Sequence, residues 1–178
     1  MKTALLIIDV QNVLCTGEYA AFDIDSVIEK INAVSANVRA ADAPVILIQH
    51  EEDGGPLQFD SSGWHLADAL ATHPTDIHVR KTACDSFHKT ALQEILRARK
   101  ISDLIICGLQ SEFCVDATVR RALALGYPVA LVADGHSTID NGVLSAAQIT
   151  AHHNATLANM TSFGARVTLV SASDVSVA

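Results

Sequence analysis

The sequence is poor in aromatic residues, in basic residues and in long apolar runs. Only 4% of the 178 residues are aromatic, and 12 Lys and Arg stand against 20 Asp and Glu, for a formal net charge of -8. A chain of this charge has no general electrostatic attraction to phosphate backbones or anionic lipids. We therefore expect neither nucleic acid nor a membrane as its partner.

The N-terminal segment lacks the length of a leader or a membrane anchor. Its apolar run, TALLII, stops at Asp9, which is too early for a signal peptide or a membrane span. We accordingly expect a cytoplasmic protein, in which cysteines stay as thiols. No two of its four cysteines form a CxxC pair, so a structural zinc site has little support.

The residues that are abundant are aliphatic, and they form strands and helices in alternation. Hydrophobic residues make up 49% of the chain, and its length suits a single domain over residues 1–178. Continuous apolar runs, typical of strands buried on both faces, occur at 4–9, 44–49, 76–81, 103–109, 128–134 and 165–171. Helical patterns lie between most of them, at 25–42, 89–100, 114–126 and 141–164. The alternation predicts an α/β fold, a three-layer αβα sandwich with a mainly parallel six-stranded, Rossmann-like sheet.

Two local features refine this prediction. Ser26 and Glu29 have the spacing of a capping box at the start of the first helix. Residues 50–76 contain three glycines and two prolines and no helical pattern of useful length. Connections of this length in compact domains are usually functional or mobile.

Three reactive side chains stand at the predicted carboxyl ends of strands, where open parallel sheets bind ligands. Asp9 ends the first strand, Lys81 ends the third, and Cys114 follows the fourth across a short turn. A helix N-terminus and a nearby ammonium each favour a thiolate, and a carboxylate can accept the thiol proton. Backbone N–H groups from Gln110 to Cys114 are candidates for an oxyanion hole.

Each of the three residues also has a simpler explanation. A single cysteine is most often a small buried side chain, and Cys107, within a strand, fits that description. An aspartate at a strand end often caps the next element, and a lysine usually rests its alkyl stem on apolar surface. The residues alone leave open whether Cys114 is a nucleophile.

Three segments together resemble the isochorismatase-like cysteine hydrolases. They are ALLIIDVQN with Asp9, VRKTACDSFHKTAL with Lys81, and CGLQSEFCVDATVRRALALGYPVALVADGHST with Cys114. The resemblance implies a Cys–Asp–Lys triad in which Cys114 attacks an amide-type carbon to form a thioester. It also implies a cis peptide between Leu109 and Gln110, with the Gln110 and Cys114 amides forming the oxyanion hole.

The departures from the family pattern bear on the substrate. Nicotinamidases carry an Asp-x-His pair after the second strand that holds a metal, whereas here Ile48 occupies the aspartate position and His50 is retained. We therefore expect no metal and no cofactor. The segment QHEEDGGPLQFDSSGWHLADAL resembles the metal-free amidase branch, which includes streptothricin hydrolase and N-carbamoyl amidases. The substrate contacts we expect are Trp64 and Phe87 as apolar walls and Gln11, Gln49 and His50 as polar contacts.

The sequence thus predicts a cysteine hydrolase that cleaves a non-peptide C–N bond of a small-molecule amide. An isochorismatase-type vinyl ether hydrolase, a non-catalytic thiol-sensing or binding protein, and a structural subunit remain as alternatives. The resemblance also implies a homodimer or higher homo-oligomer. His65 has no assigned role, and we expect His152 and His153 to lie at a subunit contact or in solvent.

Overall fold

A computed structural model describes residues 2–177 and shows a six-stranded, entirely parallel sheet. The strand order is β3-β2-β1-β4-β5-β6. The strands are β1 Thr3–Ile8, β2 Val45–His50, β3 Ile77–Lys81, β4 Asp103–Leu109, β5 Val129–Ser137 and β6 Val167–Val170. Each of them lies on one of the six apolar runs, so the predicted parallel sheet is confirmed.

Helices cover both faces of this sheet. They are α1 Asn12–Cys15, α2 Ile24–Ala40, α3 Leu92–Ala98, α4 Asp116–Ala124 and α5 Ala146–Ala158. One core cluster joins α3, α4 and α5 to one face of the strands, and a second joins α2 to the other. The predicted three-layer sandwich is therefore confirmed. No helix within residues 2–177 has the length and apolarity needed to cross a membrane.

The sequence of α2 shows why it packs on the sheet. Val27, Ile31, Val34 and Val38 recur every three or four residues, and all four are buried. Burying each such side chain contributes about 1.5–3 kcal/mol to stability. The capping box predicted at Ser26 is wrong, because the helix begins earlier, at Ile24, and Ser26 lies within its first turn.

A capping box does form at the start of α5. The hydroxyl of Ser145 accepts a hydrogen bond from the Gln148 backbone N–H, and the Gln148 side chain accepts one from the Ser145 backbone N–H. The two bonds satisfy N–H groups that a helix start leaves without partners. The α5 helix therefore begins later than the pattern at 141–164 suggested.

The long connection between β2 and β3 is fixed to the body of the domain at its far end. Residues 51–76, all described, form turns and isolated bridges without a helix. The guanidinium of Arg39 binds both carboxylate oxygens of Asp76 at 3.0 and 2.7 Å and also donates to the Ala71 carbonyl. Because the Asp76 side chain is almost completely buried, this ion pair ties the end of the loop to α2.

Candidate active site

Asp9 stands at the point where the strand order of the sheet reverses. β1 lies between β2 and β4. The connection after β1 leads to β2 on one side, and the connection after β4 leads to β5 on the other, which opens a crevice at the carboxyl ends of β1 and β4. The backbone of Asp9 has φ of 50°, a conformation that aspartate adopts more readily than most residues. This turn takes the chain out of the sheet and leaves the Asp9 carboxylate buried above its edge.

Gly108 allows β1 and β4 to approach closely beneath this carboxylate. It pairs with Ile8 in the sheet, and a Cβ atom added to it would lie 2.1 Å from the Ile8 carbonyl oxygen. Its φ of 117° is also a conformation that favours glycine. The residue thus fixes the spacing between the strand that carries Asp9 and the strand that leads to Cys114.

Lys81 brings an ammonium group to the carboxylate from the edge of the sheet. Its side chain is fully buried, and Nζ lies 2.7 Å from Asp9 Oδ2, 3.1 Å from Cys114 Sγ and 3.3 Å from His50 Nδ1. Burial lowers the pKa of the Lys81 amine, but Asp9 and Cys114 outweigh that effect and raise the pKa above its ordinary value. The group is therefore an ammonium that donates to three partners.

Cys114 lies in a five-residue π-helical turn, Ser111–Val115, that leads directly into α4. The Gln110 carbonyl accepts hydrogen bonds from the N–H groups of Phe113 and Val115, which closes the turn. The peptide bond between Leu109 and Gln110 is cis. The structure thus brings Asp9, Lys81 and Cys114 together at one edge of the sheet.

The surroundings of the Cys114 thiol favour its protonated form over the thiolate. Burial raises the pKa of the thiol and the Asp9 carboxylate raises it further, while Lys81 lowers it without reversing the shift. Lys81 acts in the direction that the sequence suggested, but desolvation is the larger effect. A reaction at Cys114 therefore requires a base, and Asp9 Oδ1 is buried with no hydrogen-bond partner within residues 2–177.

Two predicted substrate contacts are buried in the structure. Gln11 is fully buried, and its amide donates to the carbonyls of His50 and Trp64 and accepts from the His50 N–H. Gln49 is also buried and donates to the Trp64 carbonyl at 3.1 Å. Both amides bond backbone groups at or after the end of β2, and their contact with the substrate stays a prediction.

The two predicted apolar walls also differ from each other. The Phe87 ring is 7% exposed, stacks on Tyr127 and belongs to the core cluster beneath the sheet, so packing accounts for it. The Trp64 ring meets Phe59 edge-on at 4.9 Å, and its Nε1 is buried without a partner within the described chain. Trp64 therefore has an unpaired hydrogen-bond donor, whereas Phe87 is an apolar core residue.

His50 contacts the triad directly. A ring nitrogen of His50, a carboxylate oxygen of Asp9 and Sγ of Cys114 lie within 4.8 Å of one another, a set of ligands that a metal ion could use. Lys81 Nζ, however, is within hydrogen-bond distance of all three residues, so the cluster already contains a cation. Ile48, at the position of the nicotinamidase aspartate, is an apolar core residue, and the residues present do not fit that metal site.

Comparison with known proteins identifies the family. The sequence profile of the isochorismatase domain matches residues 3–172. The chain belongs to the isochorismatase family. Streptothricin hydrolase from Streptomyces noursei is 38% identical over 140 residues, which cover 77% of this chain and 50% of that protein. Ureidoacrylate amidohydrolase RutB from Pseudomonas syringae pv. syringae is 31% identical over 173 residues, 75% of this chain and 69% of that protein.

Solved structures of this family share the fold. The crystal structure of an isochorismatase family protein superposes with a TM-score of 0.87 at 39% identity and covers 95% of this chain and 98% of that one. N-carbamoylsarcosine amidase from Thermoplasma acidophilum has a TM-score of 0.82 at 22% identity, over 98% and 99% of the two chains, and supports the fold alone. These findings confirm the resemblance to an isochorismatase family of hydrolases with amidase members. The chain spans about half the length of the streptothricin hydrolases that it matches.

Sequence reasoning missed a buried polar network beneath the Cys114 turn. Ser111 Oγ lies 2.8 Å from His136 Nδ1, and His136 Nε2 lies 2.9 Å from Asn154 Oδ1. The Asn154 amide nitrogen donates to the Ala133 carbonyl, so its oxygen faces the ring and His136 carries its proton on Nε2. The sequence held a signal, since His136 follows the apolar run at 128–134 and lies near the carboxyl end of β5, but nothing in the sequence joined it to Ser111.

Proposed function

We propose that the protein is a metal-independent cysteine hydrolase that cleaves the amide-type C–N bond of a small molecule. One observation supports this most strongly. The Asp9 carboxylate is buried, one of its oxygens is held by Lys81, and the other has no partner within residues 2–177 although a thiol lies nearby. A buried carboxylate oxygen of this kind is ready to accept the proton of Cys114.

The proposed reaction has two halves. Asp9 takes the proton from Cys114 as Sγ attacks the substrate carbonyl carbon, and the Lys81 ammonium stabilises the negative charge that develops on sulfur. The tetrahedral intermediate then collapses, its C–N bond breaks, and Asp9 returns the proton to the leaving nitrogen. In the second half Asp9 removes a proton from water, the resulting hydroxide attacks the thioester, and the acid product leaves with regeneration of the thiol.

The remaining groups are assigned to binding. The backbone N–H groups of Gln110 and Cys114 form the proposed oxyanion hole for the substrate oxygen. Trp64 is the proposed wall residue, since Gln11 donates to its carbonyl as well as to that of His50 and so holds it near the triad. The relatives include a streptothricin hydrolase and a ureidoacrylate amidohydrolase, and the second name favours a small-molecule amide here as well.

Trapping of the acyl-enzyme tests this proposal. Intact-protein mass spectrometry of the chain mixed with amides, carbamates and lactams should reveal an added acyl mass on Cys114 for a substrate, and none in the Cys114→Ala variant. Cys15 and Cys107 are internal controls, because both are buried in the core away from Asp9 and Lys81 and should stay unmodified. Full turnover by Cys114→Ala would remove the mechanism.

The same experiment separates the alternatives. A vinyl ether hydrolase would turn over its substrate without an adduct on Cys114. A thiol sensor requires a cysteine that is ionised and open to oxidants, whereas burial and Asp9 raise the pKa of the Cys114 thiol. A thiol with a raised pKa beside a free base therefore favours catalysis over sensing.

Self-association is part of the proposal as well. Phe113 directly precedes the nucleophile and is 53% exposed, and Phe22 and Val143 are exposed in loops near the carboxyl end of β5. Apolar side chains exposed around a site are typical of a surface that another chain covers. Light scattering should give a mass that is a multiple of 18.9 kDa, and a monomer at micromolar concentration would contradict this part.

A further inference from the structure

Lys81 carries three N–H groups, and its burial requires an acceptor for each of them. Its side chain has no exposed surface, so bulk water supplies no partner. An unpaired donor on a buried charge is costly. Asp9 and Cys114 accept two of the three hydrogen bonds. The third acceptor is Nδ1 of His50, at 3.3 Å.

This contact determines the protonation of the His50 ring. An ammonium has no lone pair, so it can only donate, and Nδ1 must therefore be the acceptor. A neutral ring with an unprotonated Nδ1 carries its hydrogen on Nε2. That Nε2 lies 3.5 Å from Oε1 of Glu52, a carboxylate that can accept the hydrogen.

His50 is held in register with the lysine. It lies beside Lys81 in the pairing of β2 with β3. Gln11 binds both backbone polar groups of His50, at 2.9 Å to the N–H and 2.9 Å to the carbonyl. Because the buried Gln11 holds both the N–H and the carbonyl of His50, it restricts where the His50 ring can lie.

We propose that His50 is a positioning residue for hydrolysis, which accepts the third hydrogen bond of Lys81 and so keeps its ammonium turned toward Cys114. The inference rests on the proposed function. Without the ring, the third N–H has the free Oδ1 of Asp9 as an alternative acceptor. Lys81 would then occupy the oxygen that takes the thiol proton, and deprotonation of Cys114 would slow.

Variants of His50 separate this role from packing. His50→Asn keeps an acceptor oxygen bonded to the same Cγ atom that carries Nδ1, and His50→Leu keeps bulk but no acceptor. Alkylation of Cys114 by iodoacetamide, followed by mass spectrometry on the folded chain, should slow by about tenfold in His50→Leu and by less than about threefold in His50→Asn. His73→Leu is the matched control, because His73 is exposed and contacts Thr75 in the loop, and it should react at the normal rate.

The effect on turnover should appear in kcat rather than in KM, because the ring acts on the lysine and not on the substrate. Equal alkylation rates in the unaltered chain and His50→Leu, or an equal loss in His50→Asn, would overturn the inference. Should His50→Leu fold poorly, nitrogen-15 NMR of the unaltered protein carries the test, and a proton on Nδ1 of His50 would contradict it. The alkylation series needs no substrate, so a failure to find any acyl adduct counts against hydrolysis alone.

Discussion

Replacing Lys81 by methionine should destabilise the protein severely, because it leaves a buried charge without its partner. Methionine keeps most of the volume of the lysine stem but removes the ammonium that binds Asp9 at 2.7 Å. The side chains of both residues are at most 1% exposed, so water cannot replace the lost contact. Removing one member of a buried ion pair costs about 3–5 kcal/mol.

A double-mutant cycle separates this electrostatic effect from packing. Asp9→Asn removes the negative charge, keeps the shape of the side chain and tolerates the φ of 50° at this position. With both charges gone, the double variant should recover much of the loss, with a coupling free energy of about 2 kcal/mol. Urea unfolding at pH 7 followed by circular dichroism gives the four stabilities. A coupling below about 0.5 kcal/mol would refute the reasoning, since independent sites add within that margin.

Other substitutions test the scaffold. Arg39→Met should lower the free energy of unfolding by about 2–3 kcal/mol, because it leaves the Asp76 carboxylate without its cation. Arg39→Lys should lower it by clearly less. Equal losses in the two variants would contradict the ion pair between Arg39 and Asp76. Burial lowers the pKa of His136 from its usual 6.5, so the unfolded chain binds a proton that the native one does not. Stability should therefore fall as pH drops through the range below about 6.5, and urea unfolding of His136→Gln should show a smaller slope there. Gly108→Ala should cost more than about 4 kcal/mol of stability in thermal unfolding. Gly126→Ala is the control, because Gly126 also has a positive φ but faces open space, and it should cost about 1–2 kcal/mol. Similar losses would count against the close approach of β1 and β4 at Gly108.

The sheet and its layers could be predicted because their signals are local. Six aliphatic runs predict strands, and all six are strands of the parallel sheet, although the edge strands β3 and β6 are partly exposed. The boundaries of α2 and α5 were harder to predict, because helix capping depends on backbone conformation. Asp23, with a positive φ, precedes α2, and no spacing rule in the sequence indicates that.

The site could be predicted in part for a similar reason. Residues at the carboxyl ends of parallel strands lie at one edge of the sheet. This rule was sufficient to predict that Asp9, Lys81 and Cys114 lie together. Whether an amide at that edge faces the crevice or the loop behind it depends on tertiary hydrogen bonds. The hydrogen bonds of Gln11 and Gln49 to the backbone, and the burial that raises the pKa of the Cys114 thiol, could therefore not be predicted from the sequence.

The three reactive groups come from strands that are far apart along the chain, 72 residues between Asp9 and Lys81 and a further 33 to Cys114. During synthesis on a ribosome, β1, β2 and β3 emerge before β4. The Asp9 carboxylate and the Lys81 ammonium can therefore pair on the nascent polypeptide before Cys114 is synthesised. The proposed mechanism requires all three groups, so turnover in a refolding experiment should recover no earlier than the docking of β4.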